Sequence, residues 1–181
     1  MNSKLKIMVE TALITAIICV VAPFTIPLPF SPVPISFAML AIYLGAYALD
    51  VIPGIVSVLL YILIGLVGLP VFSNFKAGVG VIVGPTGGYI VGYIFIALFA
   101  GFFINKFEKK IWLHAIGIVL GLAICYLLGT VWFLHVLPEQ TIKSALMLCV
   151  VPYLPADAVK IVIALIVGPK IRQGVKKINN K

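Results

Sequence analysis

An all-α integral membrane protein is the fold class the sequence predicts, and three observations carry it. Of the 181 residues, 63% are hydrophobic and only 10% charged, against ~25% charged in an average globular chain. Apolar runs long enough to cross or nearly cross a bilayer recur from end to end. The basic residues gather at the ends of those runs. No polar linker or compositional break divides residues 1–181, which predicts a single transmembrane domain. The first apolar run is followed by more of the same, so it reads as a span and not as a cleaved leader.

Six transmembrane helices are predicted. The first covers about Ile7 to Ala22, with Lys4 and Lys6 ahead of it. Ala12 and Ala16 form a small-x-x-x-small pair within it, which lets another helix approach closely. Pro23, Pro27, Pro29, Pro32 and Pro34 then exclude helix. This stretch carries no charge, so it reads as a stiff apolar loop packed over something beneath it. The second span, about Ile35 to Leu49, is short. Asp50 is expected to cap the third helix, which Pro53 opens and which runs to about Gly68. Gly78, Gly80, Gly84, Gly87 and Gly88 punctuate the next stretch, where irregular backbone at membrane depth implies burial in protein or a cavity lining.

The fourth span runs from about Thr86 to Ile104, and a charged loop with Lys106, Glu108, Lys109 and Lys110 follows. The fifth, about Ile111 to Phe133, holds a second small-x-x-x-small pair, Gly117 and Gly121. Glu139 to Val150 reads as a short helix ahead of Pro152 and Pro155. The sixth span carries Asp157 and Lys160 and is closed by Lys170 and Arg172.

Charge asymmetry orients this array. With the N-terminus cytoplasmic and six alternating spans, ten basic residues lie inside: Lys4, Lys6, Lys106, Lys109, Lys110, Lys170, Arg172, Lys176, Lys177 and Lys181. Two, Lys76 and Lys143, lie outside, and both termini are cytoplasmic. The proline loop, the glycine-rich loop and the Asp157 end of the last span then meet on the outer side.

A net charge of +8 distributed in this way describes a membrane protein and not a nucleic-acid binder. No Walker motif is present, so the chain does not hydrolyse ATP by the phosphate-loop route. No Gly-x-Ser-x-Gly elbow or Ser-His-Asp pattern occurs. His114 and His135 sit near span ends, without partners at metal spacing. Cys19, Cys125 and Cys149 lie in apolar runs and read as small core residues. Neither a cofactor nor a metal is expected.

Asp157 and Lys160 are the departure from this pattern. Spacing of three places both on one helix face. With Lys170 at one membrane surface, Asp157 lies ~20 Å into a hydrocarbon core of ~30 Å. Ionisable groups at such depth cost ~2.5–3.5 kcal/mol each and mark functional sites by default. A helix N-terminus favours Asp157 and disfavours Lys160, so a polar ligand is a better reason for the lysine than mutual pairing alone. Phe72, Phe75, Tyr89 and Tyr93 fall in or just after the glycine-rich loop, as interfacial belt residues or as ligand-stacking walls. Asn74 offers a donor and an acceptor beside a glycine-rich turn, as turn chemistry or as a ligand contact.

Pro-Val-Pro-Ile-Ser-Phe (32–37), Leu-Pro-Val-Phe (69–72), Gly-Pro-Thr-Gly-Gly-Tyr (84–89) and Leu-Pro-Ala-Asp-Ala-Val-Lys (154–160) together resemble the BioY family. Members are biotin-binding S components of energy-coupling factor (ECF) transporters. The likeness runs from about Ala12 to Arg172. It implies an ECF S-component-like bundle in a prokaryotic plasma membrane, with a biotin pocket near the outer surface closed by the first and third loops. By the same resemblance Asp157, Lys160 and Asn74 contact biotin; Tyr89, Tyr93 and Phe72, among the aromatic residues noted above, are the candidate walls. Ala12 and Ala16 resemble the motif that docks on a transmembrane T component, which works with two cytoplasmic ATPases. The chemistry is compatible: a carboxylate accepts from the two urea N–H groups of biotin, and an ammonium donates to its carbonyl. The rival class is a small intramembrane enzyme using Asp157 as an acid-base group. A third reading makes the pair a folding device.

Overall fold

The computed structural model describes residues 3–179; Lys181, counted above among the cytoplasmic basic residues, lies outside them. Helix α1 (Ser3–Val21) turns Thr11, Thr15 and Ile18 inward and leaves Met8, Ala12, Leu13, Ala16, Ile17 and Val20 exposed. Its two buried threonines satisfy their hydroxyls on carbonyls one turn back, Ile7 at 2.7 Å and Thr11 at 2.9 Å. The helix therefore buries polar residues without orphaned groups.

The proline loop folds back on itself. Strands β1 (Thr25–Ile26) and β2 (Ile35–Ser36) pair antiparallel, Thr25 opposite Ser36. That pairing consumes the first two residues expected in the second span. Ala38 N donates to Ser36 Oγ at 3.0 Å, and α2 runs only over Ala38–Ala48. It is almost wholly buried.

Asp50 occupies the N-cap position of α3 (Val51–Leu66), but its side chain makes no capping bond. Its backbone carbonyl accepts from Gly54 N at 2.9 Å instead. The helix starts ahead of Pro53, not at it. Gly68, at φ +113°, ends this stretch. A tight turn then links Phe72 N to Lys76 O at 3.0 Å, and a single helical turn α4 (Val79–Ile82) follows.

Helices α5 (Gly87–Lys106) and α6 (Ile111–Val136) form the most extensive pairing in the bundle. Glycine makes the close approach possible. A Cβ at Gly121 would stand 2.8 Å from the Ile96 Cα, and one at Gly92 2.7 Å from the Cys125 sulfur. The Gly117–Gly121 pair expected to admit another helix thus admits α5.

Thr141 and Ser144 cap α7 (Ile142–Cys149) reciprocally, so this short helix begins three residues later than Glu139. A 3-10 turn, Val151–Tyr153, leads into α8 (Leu154–Asn179). This last helix does not close at Lys170 and Arg172. It continues through Pro169, whose missing N–H costs one intrahelical bond while the turns beyond stay helical.

Among the described residues three segments are long and apolar enough to cross a membrane: α5, α6 and the run Ile142–Ile178. Helices α2 and α3 are apolar but shorter. The loop ends gather at one end of the bundle, where Asn74 N reaches Pro23 O at 3.0 Å and the Tyr153 hydroxyl reaches Ser31 Oγ at 2.8 Å. At the other end α8 is clasped to the loop between α5 and α6. Arg172 donates to Asn105 Oδ1 at 2.8 Å and to Glu108 Oε1 at 2.9 Å, and Lys176 donates to both Glu108 oxygens at 2.5 and 2.6 Å. His114 is buried there, not interfacial, with its ring nitrogens at 3.2 Å from the Tyr47 hydroxyl and 3.1 Å from Phe107 O.

Candidate functional site

Asp157 lies in the first turn of α8, where the unpaired N–H groups of a helix start favour negative charge. Lys160 follows one turn deeper on the same face. Their exposures, 2% and 5%, place both charges inside the protein. The Lys160 ammonium donates to Asp157 Oδ1 at 2.8 Å. The Tyr126 hydroxyl, from the middle of α6, donates to Asp157 Oδ2. Both carboxylate oxygens thus have a donor, which is what a desolvated carboxylate needs to stay charged.

The pair opens on a cavity of about 30 Å³. The proline loop supplies Val33, Pro34 and Ser36 to its wall, and α2 supplies Met39. Tyr89 and Tyr93 come from α5, Tyr126 from α6, Cys149 from α7, and Tyr153 from the turn before α8. Seating Tyr89 depends on Gly129, where a Cβ would stand 2.3 Å from the ring. The Tyr89 hydroxyl meets Thr130 Oγ1 at 3.4 Å. Tyr153 ties the proline loop down through Ser31 Oγ and the Val33 carbonyl. Of the larger hollows elsewhere, those of about 400 and 460 Å³ are apolar, and one of about 330 Å³ is lined by Lys6, Glu10, Asp50, Arg172 and Lys176 at the clasped end. Four tyrosines around one acid and one base give this small cavity directional donors and acceptors on an aromatic wall. That combination suits a flat, polar heterocycle.

Of the residues singled out in the sequence, Asp157, Lys160, Tyr89 and Tyr93 are brought together. Asn74 is not on the cavity wall. It is exposed at the tip of the glycine-rich loop with φ +59°, a conformation asparagine tolerates. There it accepts from Thr25 Oγ1 at 2.7 Å and pins the first loop to the third.

Phe72 does not join the site either. It is fully buried, edge-on to Tyr61 with centroids 5.6 Å apart, in a hollow above Gly65 where a Cβ would come within 2.2 Å of the ring. That space, created by the missing side chain at Gly65, turns Phe72 into the core and away from the cavity. Tyr126, Tyr153 and Ser36 are the site residues the sequence reading missed. Tyr153 carried a signal, since it stands between Pro152 and Pro155 in the stretch that leads to Asp157. Among the described residues no cluster of three His, Cys, Asp or Glu side chains could hold a metal.

A small apolar helical bundle with a polar core pair under a latched loop is the architecture of a membrane ligand-binding subunit. The sequence profile of the BioY family matches residues 1–177, and the chain belongs to that family. It is 37% identical to the biotin transporter BioY of Thermotoga maritima over 92% of this chain and 95% of that protein. It is 29% identical to the biotin transporter BioY2 of Lactococcus lactis, over 92% and 90% of the two chains. Its fold matches the crystal structure of the S-component for biotin from an ECF-type ABC transporter with a TM-score of 0.86. That match is at 25% identity over 95% of this chain and 93% of that one. The relatives are transporters, which sets aside the reading of Asp157 as an enzyme's acid-base group.

Proposed function

We propose that this chain is the biotin-binding subunit of an ECF-type vitamin uptake transporter, taking biotin from the extracellular face of a prokaryotic plasma membrane. The observation that carries this reading is the buried Asp157–Lys160 pair on a tyrosine-walled cavity in a chain of this family. Asp157 accepts from the urea N–H groups, Lys160 donates to the urea carbonyl, and Tyr89 and Tyr93 pack on the rings. Asn74 acts at the lip, holding the third loop against the first.

Residues 1–181 form one transmembrane domain that crosses six times with both termini cytoplasmic. The excess of basic residues at the clasped end supports that orientation, as does the gathering of the loops at the opposite end. Delivery inward is driven by a T component and two cytoplasmic ATPases. The outward-facing Ala12 and Ala16 on α1 support a docking role.

A cavity of about 30 Å³ is far below the ~300 Å³ or more of small-molecule pockets. Binding therefore widens it. The contacts that yield are Tyr153 to Ser31 and Val33, and Asn74 to Thr25 and Pro23.

Titration of purified protein with biotin tests the reading. A hydrogen bond to a charged group contributes ~1.5–3 kcal/mol, roughly ten- to a hundredfold in affinity. Asp157→Asn and Lys160→Met each weaken biotin by at least that factor, and the double variant shows no rescue. A buried ion pair that serves only itself is often replaceable at little cost. Parental affinity in the double variant would therefore return the pair to a folding device.

A further inference from the structure

Below the Asp157–Lys160 cavity lies a residue that the reading above does not use. Tyr43 sits on α2 one helical turn deeper than Met39, a cavity-wall residue, and the two share a helix face. It is completely buried. Among the described residues, only its hydroxyl and the Arg172 Nε are buried side-chain polar atoms without a hydrogen-bond partner. The arginine atom is at the clasped end. The tyrosine is on the helix that supplies Met39 to the cavity wall. A phenol hydroxyl buried without a partner destabilises the fold, and phenylalanine would fill the same volume without that cost.

Helix α2 packs against α8, the helix that carries Lys160 one turn below Asp157. Tyr43 does not line the cavity as it stands; it adds an unpaired donor one turn below the wall residue Met39, on the helix that packs against the one carrying Lys160. Ligand binding has to enlarge the cavity, and enlargement toward Tyr43 would give its hydroxyl the partner it lacks. We propose that Tyr43 is a further ligand-contacting residue, whose hydroxyl donates to the urea carbonyl beside Lys160. This rests on the biotin reading of the cavity. A carbonyl oxygen has two lone pairs and accepts both donors. A ring with no acceptor at that position leaves the hydroxyl unpaired, so Tyr43 discriminates for a carbonyl.

The test uses the purified full-length protein, titrated with biotin and with 2-iminobiotin, whose protonated guanidinium offers no acceptor there. Tyr43→Phe is expected to unfold without ligand at the same temperature as the parent or higher. It should bind biotin roughly three- to tenfold more weakly, the loss of a neutral hydrogen bond. Its affinity for 2-iminobiotin should be unchanged or improved. Unchanged biotin affinity, or equal weakening of both ligands, overturns the proposal. A lower ligand-free unfolding temperature also overturns it, because the hydroxyl then has a partner within the protein. A parent protein that binds no biotin fails at the cavity itself, whatever Tyr43 does.

Discussion

A carboxylate withdrawn from water stays charged only where donors replace the water, and Asp157 has two such donors from two helices. Tyr126→Phe removes one of them without changing the packed volume. The expected loss is ~1.5–3 kcal/mol of stability, as for a hydrogen bond to a charged group. In a chain of this size that lowers the unfolding temperature by several degrees. The check is thermal unfolding in detergent without ligand, and an unchanged temperature would remove Tyr126 from the site. Asp157 and Lys160 were legible in the sequence because charges inside an apolar run break the pattern around them. Tyr126 was not, because a tyrosine in an apolar span is ordinary and its partner lies 31 residues further along the chain. Phe72 shows the opposite failure. An aromatic residue beside a flexible turn can face a pocket or the core, and the hollow over Gly65 that decides between them exists only after α3 and the loop have met.

At the scale of elements, apolar runs and their punctuation gave the order of the long helices, and the packing decided their ends. The prolines before α2 announced a loop but not the pairing of Thr25 with Ser36 that shortens the helix. Pro169 would ordinarily mark a helix end, yet α8 runs on and Arg172 and Lys176 reach Glu108 across the bundle. Those hydrogen bonds, Lys176 first and Arg172 second, hold the Glu108 carboxyl at about 2. A carboxyl depressed below its ordinary ~4.3 stabilises the fold fully above that value and loses its contribution as the pH falls through the folded one. The window for Glu108 is therefore from ~pH 4.5 down to ~pH 2. Its side chain is 45% exposed, and screening keeps such a contribution below ~1 kcal/mol. Glu108→Gln should lower the unfolding temperature by a few degrees at most in low salt, and by less in high salt. The gap between parent and variant should close across that acid window. A gap that persists at its lower end would mean that Glu108 acts through packing and not through its charge.

For the whole molecule the question is which part of an apolar exterior faces lipid and which faces protein. Exposed leucine, isoleucine and valine side chains stud α1, α3, α6 and α8, so exposure alone does not distinguish the two. Size does. On the outer face of α1, Ala12 and Ala16 stand among Met8, Leu13, Ile17 and Val20. Ala12 borders an apolar groove of about 460 Å³ shared with Ile52, Val56 and Leu60 of α3. Inside the chain the same spacing of small residues, Gly117 and Gly121, is where α5 comes within backbone contact of α6. The α1 pair offers an equivalent approach, and among the described residues no helix takes it. Lipid tails gain nothing from small residues, whereas a partner helix gains close van der Waals contact. Ala16→Trp fills that approach, lies on a helix that contributes no residue to the cavity wall, and replaces an exposed side chain. It should leave biotin affinity and ligand-free unfolding temperature close to those of the parent. Recovery of the complex proposed above, with a T component and ATPases, should fall by at least ~tenfold, a cost of ~1.4 kcal/mol at the interface, and biotin uptake with it. Normal recovery of the complex would place the docking surface elsewhere on the bundle. A parallel loss of biotin binding would mean that the face of α1 is coupled to the pocket and is not an independent surface.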